Sequence, residues 1–309
     1  MKFQNFIRKS LVIGVLVVSF FSCSGKTEKI KLVYPNKVNY ESFIIAKHLN
    51  YFSSDIEVQT VSSGINAAEA FVLGDAQLAA MGDGPTVMLM AQNKDFVIVT
   101  RYAQGNKIHR LIADSTLKSA SDLKSKKLGV QMSSSSHGAL LSWLKANGLD
   151  AKDVELVPMD PQNMPEAMKT KQLDAIAGSE PWALNVEKMC GSTVHELSNL
   201  ENVNNCFPHT LVSNPKVAVS NSKQIIDVVH ALKKANDFIK QHPDSAAEIA
   251  AKYIKISIEE EKICISRLTW ECGWTEKDQS SLNETAHFFL MSGKIKKMPT
   301  IGNYLKIEE

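Results

Sequence analysis

An internal repeat constrains this chain more than any other feature, with two stretches of the same plan offset by about 97 residues. In the first, Lys31-Leu32-Val33-Tyr34 is a short apolar run, Pro35-Asn36-Lys37-Val38 a polar loop, and Phe43-Ile44-Ile45-Ala46 the start of a helix. Lys127-Leu128-Gly129-Val130, the loop Ser133-Ser134-Ser135-Ser136-His137 and Ala139-Leu140-Leu141 repeat that order. Residues 55–61 alternate as a strand does and end at Ser62-Ser63-Gly64. Their counterpart, 153–157, ends at Pro158-Met159-Asp160-Pro161. Helices around Glu69 and Glu166 then lead to Asp75-Ala76 and Asp174-Ala175. Each is followed by small apolar residues and a turn, Gly82-Asp83-Gly84-Pro85 or Gly178-Ser179-Glu180-Pro181.

Strands and helices alternating over short connections predict parallel β-α-β units with right-handed crossovers, an α/β chain in two lobes. In open sheets of this kind ligands bind beyond the carboxyl ends of the strands, so six loops are expected around one cleft. Phe96-Val97-Ile98-Val99-Thr100 and Leu111-Ile112-Ala113 read as further strands of the first lobe, and His209 to Ser213 as the return crossing. Hinges are therefore expected at Asp114 to Lys118 and Val212 to Pro215. The first lobe becomes 30–114 plus 216–309 and the second 115–215. Beyond Ser222 the apolar spacing is helical (Ile225-Ile226, Val229, Leu232, Phe238-Ile239). A further helix at Ala246–Tyr253 follows Pro243-Asp244, and these helices are expected on the first lobe.

Residues 1–22 read as a signal peptide: Lys2, Arg8 and Lys9 precede an apolar run, Leu11 to Phe21, too short for a stable membrane-spanning helix. Its removal takes three basic and no acidic residues from a net charge of +2, leaving −1. No basic face remains to argue for nucleic acid. Cys23 directly after this run resembles the lipidated cysteine of a bacterial lipoprotein, with 23–29 as anchor and linker; Phe20 and Phe21 depart from that motif and Ser22 fits it. Cys190 with Cys206 and Cys264 with Cys272 are the local disulfide options, with buried free thiols the alternative.

Three stretches carry a family resemblance: 71–79 running into Gly82-Asp83-Gly84-Pro85, then 119–130, and Leu173-Asp174-Ala175 with Glu180-Pro181-Trp182. They resemble the periplasmic substrate-binding proteins of ABC importers, in the group of sulfonate, taurine and nitrate binders and NMT1/THI5-like pyrimidine binders. The resemblance implies a type II periplasmic-binding-protein fold, two lobes joined by a two-strand hinge, closing on a small solute. It implies an exported, lipid-anchored monomer that hands the solute to permease subunits, with no cofactor and no metal. A sulfonate or taurine-like solute is favoured, with a pyrimidine thiamine precursor as the alternative and an enzyme of the same fold acting on a small heterocycle as the different class. No Gly-x-Ser-x-Gly elbow, phosphate loop or zinc-protease motif is present.

The candidate ligand contacts are Asn36, Asn39, Gly64, Asp83, Ser133, Ser134, Ser135, Ser136, His137, Glu180 and Trp182. The serine run at a helix start offers hydroxyls and unpaired N–H groups to an anion, or simply a helix cap. Asp83 either accepts from an amine or favours its helix start. Trp182 either stacks on a planar ligand or packs in the core. His137 adds a donor or sits at the surface. Asn36 and Asn39 follow the first strand and are placed to read polar ligand atoms. Glu180 holds in the second lobe the place that Asp83 holds in the first.

Overall fold

The computed structural model describes residues 29–105, 107–200, 205–300 and 303–305. The expected signal peptide and Cys23 lie outside them. No described helix is long and apolar enough to cross a membrane.

The first repeat folds as β1 (Ile30–Pro35), α1 (Glu41–His48), β2 (Ile56–Val61), α2 (Gly64–Leu73), β3 (Leu78–Met81) and α3 (Asp83–Ala91). Two strands follow, β4 (Val97–Gln104) and β5 (His109–Asp114). The second repeat is β6 (Lys127–Val130), α4 (Ser135–Ala146), β7 (Glu155–Pro158), α5 (Met164–Lys169), β8 (Ala175–Ser179) and α6 (Trp182–Cys190). In sheet order the two read β2-β1-β3 and β7-β6-β8, all parallel, so the repeat in sequence is a repeat in topology. The central strands β3 and β8 are buried along their whole length, as strands covered on both faces must be.

After β9 (Val194–Ser198) and β10 (Pro208–Ser213) the chain runs through α7 (Pro215–Ser220), α8 (Ser222–Gln241), α9 (Pro243–Ile254), α10 (Ile258–Ser266), α11 (Glu276–Met291) and β11 (Asn303–Tyr304). β5 pairs antiparallel with β8 and β9, and β10 pairs antiparallel with β3 and β4. Each repeat is thus completed by a strand from beyond its own end. This corrects two expectations: β5 belongs to the second sheet, and β10 to the first. The crossings follow β4 and β9, ahead of the expected Asp114–Lys118 and Val212–Pro215. Apolar runs of similar character on either side of Gly105 do not reveal which sheet receives each, because the pairing partner is distant in sequence.

Strand alternation fills four core layers. On β1, Leu32 and Tyr34 face α1, α8 and α9, while Val33 faces α2, α3 and α11. On β5, Leu111 and Ala113 join Leu140 and Leu144 of α4, while Ile112 joins Met168 of α5 and Val186 of α6. The tail helices thus pack on the first lobe. α11 is tied to it by Arg101, whose Nη1 lies 3.2 Å from Asp278, and it also carries Phe289 and Ala286 against Leu141 of the second lobe.

Neither expected disulfide forms. Cys190, Cys206, Cys264 and Cys272 are free thiols. Cys190 ends α6 in the second lobe, whereas Cys206 lies in the crossing beside Ser281 of α11. Cys264 sits inside α10, and Cys272 faces Asn236 of α8.

Candidate functional site

The six strand-to-helix loops meet at one cleft between the lobes. It is lined by Asn39, Lys37, Tyr40, Gly64, Ile65, Gly82 and Pro85 from the first repeat, and by Gln131, Ser134, Ser135, Ser136, Pro161, Met164 and 177–179 from the second. His109 and His209, one at the start of β5 and one on β10, close it where the chain crosses. The cavity volume is about 40 Å³.

The starts of three helices border this cleft. Ser63 caps α2 by accepting from Asn66 N, Gly82 precedes α3, and Ser134 caps α4 by accepting from His137 N. Unpaired first-turn N–H groups and the positive ends of the helix dipoles make such a convergence favourable for negative charge. The lobes touch here: Gly84 N donates to Ser135 Oγ at 3.4 Å. A Cβ on Gly84 would sit 2.5 Å from Ser134 C and 2.7 Å from Ser135 N, so only glycine allows this approach.

Lys37 supplies the cleft with a cation. Its ammonium makes no ion pair or hydrogen bond among the described residues; desolvation by the surrounding protein lowers its pKa to about 8 against the attraction of the nearby Glu41 carboxyl, leaving it mostly charged at neutral pH. No carboxylate lines the cleft. His109 Nδ1 lies 3.0 Å from Ser136 Oγ, and His209 Nδ1 donates to Phe207 O at 3.1 Å. Burial keeps both rings neutral, pushing His109 well below the usual range and His209 to about 4. Beneath the Lys37 loop, the buried Glu41 and Glu261 carboxyls lie near each other, and none of their four oxygens has a hydrogen-bond partner among the described residues. Desolvation raises both, Glu261 to about 7, and the charge of Glu261 raises Glu41 further.

The profile of the NMT1-like family matches residues 24–255, three quarters of the chain. The chain belongs to the NMT1-like family. Among relatives, a Brucella abortus protein provisionally named a binding protein is 24% identical over 203 residues, covering 65% of this chain and 63% of the relative. The taurine-binding periplasmic protein of Escherichia coli K12 is 22% identical over 180 residues, 57% of this chain and 54% of the relative. The chain thus spans about three fifths of the length of the curated relatives it matches. Among solved structures, the alkanesulfonate-binding protein SsuA of Xanthomonas axonopodis pv. citri bound to MOPS aligns with a TM-score of 0.77 at 20% identity, covering 89% of this chain and 96% of that one. The periplasmic aliphatic sulphonate binding protein SsuA of Escherichia coli aligns with 0.78 at 20% identity, covering 91% and 95%. The bilobal α/β fold of this NMT1-like chain is therefore that of periplasmic binding proteins.

Within this NMT1-like fold, Asn39, Gly64, Ser134, Ser135 and Ser136 line the cleft, and the other candidates turn away from it. Asn36 Nδ2 donates to Tyr253 O of α9. Asp83 is fully buried, accepts from Thr285 of α11 at 2.7 Å, and is raised by that burial. Ser133 adopts φ 64° and donates its N–H to His137 Nδ1, which leaves the His137 ring stacked on Phe289. Glu180 is spent on Arg110 at 3.0 Å, Arg267 at 3.3 Å and Leu184 N. Trp182 is half-buried on the first turn of α6, outside the cleft. Lys37, Tyr40, Gln131, His109 and His209 were not among the candidates. Lys37 and Tyr40 adjoin Asn36 and Asn39 in the same loop, and His209 stands in the predicted return strand, so their neighbourhoods were visible though their inward direction was not. Among the described residues, no group of three or more histidines, cysteines or carboxylates is placed to hold a metal ion.

Proposed function

We propose that this protein is an extracytoplasmic solute receptor of an ABC importer, tethered through Cys23, that closes its lobes on a small organic anion, a sulfonate in the first instance. The observation that carries this reading is the Lys37 ammonium, without an ion pair or hydrogen bond among the described residues, in a cleft bordered by helix starts and serine hydroxyls and lined by no carboxylate. A charge-assisted hydrogen bond is about twice as strong as a neutral one, and an anion is what this cation lacks. The relatives support the class: one is named for taurine, and the two structures for alkane or aliphatic sulfonates. Closure follows from contacts that exist only when the lobes meet, which shifts the population toward the closed form.

The pyrimidine alternative loses its stacking platform, since Trp182 stands outside the cleft. The enzyme alternative has one feature in its favour, Ser136 within hydrogen-bonding reach of His109. His109 Nε2 has no partner, so no acid orients the ring as a nucleophile's base requires. The test is a thermal-shift series with alkanesulfonates, taurine, nitrate and aminopyrimidines on the parent and on Lys37→Met. Stabilisation by sulfonates, reduced about tenfold in apparent affinity or more by Lys37→Met, is expected. Stabilisation confined to the pyrimidines, or equal sulfonate affinity in the variant, refutes the reading.

A further inference from the structure

The cleft holds acceptors as well as donors. A carbonyl oxygen only accepts, so the 3.1 Å contact of His209 Nδ1 with Phe207 O fixes the proton on Nδ1. In the neutral ring Nε2 is then a bare acceptor, and it has no hydrogen bond among the described residues. His209 lines the cleft and is 2% exposed. Buried acceptors left unmade cost more than a hydrogen bond gains, and a fitting solute removes that cost.

What donates to that ring is constrained by charge. An ammonium group would enter a cleft lined by the Lys37 cation, close enough to both histidines to disfavour their protonation, and by no carboxylate that could accept its hydrogen bonds. A hydroxyl or an amide N–H meets no such penalty.

We infer that the cleft selects a small organic anion bearing a neutral hydrogen-bond donor, with the anion at Lys37 and the serine loop and the donor received by His209 Nε2. This rests on the anion reading above and narrows it. A hydroxyalkanesulfonate has this chemistry. Taurine carries the wrong charge at its far end, and a plain alkanesulfonate carries no donor there.

Three sulfonates of matched length test it by calorimetric titration of the full chain: 2-hydroxyethanesulfonate, 2-aminoethanesulfonate and propane-1-sulfonate. The hydroxy compound is expected to bind at least about tenfold more tightly than either of the others. The ¹⁵N resonance of His209 Nε2 is expected to move when the hydroxy compound binds and to stay when propane-1-sulfonate binds, a readout that a purely structural ring does not give. His209→Phe, which keeps a ring against Tyr40 and Tyr102, should erase the preference; if loss of the bond to Phe207 O impairs its folding, the resonance decides alone. Equal or tighter binding of propane-1-sulfonate, tightest binding of the amino compound, or a stationary Nε2 resonance overturns the inference and leaves the anion reading standing. Failure of all three compounds to bind overturns both.

Discussion

Gly84→Ala converts the seam between the lobes into a measurement of closure. The added Cβ would lie 2.5, 2.7 and 2.8 Å from Ser134 C, Ser135 N and Ser134 O. All three are backbone atoms, which cannot swing aside as the end of a long side chain can. Ordinary contact begins at 3.4 Å, so relief at the shortest of them needs 3.4 − 2.5, or 0.9 Å, of separation at the seam. Overpacking of this kind costs about 1–3 kcal/mol. The cost falls on the closed form alone, because Gly84 lies inside α3 and an alanine there is intrinsically favourable to helix. Converted at about 1.4 kcal/mol per tenfold, the expected loss of solute affinity is roughly fivefold to 150-fold. Titration calorimetry with the best sulfonate, together with the melting midpoint of the solute-free protein, separates the two forms. The reasoning predicts weakened binding at an unchanged or slightly raised midpoint. Affinity within twofold of the parent refutes it, and so does a fall of several degrees in the solute-free midpoint, which would make the seam part of the resting fold.

Two further outcomes follow from the buried charges. Arg110→Met leaves the fully buried Glu180 without its main partner; breaking such a pair costs about 3–5 kcal/mol, and a fall of roughly 6–15 °C in melting midpoint is expected, where an unchanged midpoint would contradict the network. Glu261 is raised from 4.5 to about 7 in the folded protein, so its contribution is complete below pH 4.5 and is lost as pH rises toward 7. His109, His137 and His209, held neutral by burial, act with the opposite sign at mildly acid pH, so the informative quantity is a difference between proteins. Glu261→Gln should gain on the parent by on the order of 3 kcal/mol between pH 4.5 and 7.5 in denaturant unfolding, and a constant difference would show that burial does not raise Glu261.

How much of this was legible in the sequence follows the distance over which each feature is decided. The paired β-α-β units were legible because each rests on local spacing: the alternation at 55–61, the leucines of α4, the left-handed turn at Gly148 after it. The placement of β5 was not, since His109–Asp114 finds β8 some sixty residues onward and nothing within the strand names its partner. The loops of the cleft were located correctly from the general rule for open sheets. Which side chain of a loop turns inward was not, because that is settled by what waits on the other side: Asn36 is claimed by α9, Asp83 by Thr285, Glu180 by two guanidiniums. Lys37, whose ammonium makes no ion pair or hydrogen bond among the described residues, is the group proposed to meet the solute.

The four unpaired thiols carry a consequence of another kind. A bilobal chain whose two crossings and tail helices are secured by packing and buried ion pairs owes none of its architecture to sulfur oxidation. Among the described residues no disulfide has to form for the fold to be reached, and reductant has none to break. Cys264, buried inside α10 and held far from thiolate by that burial, is also a poor target for oxidants. The same native state is therefore open to the chain in an oxygen-free setting and in an aerated one.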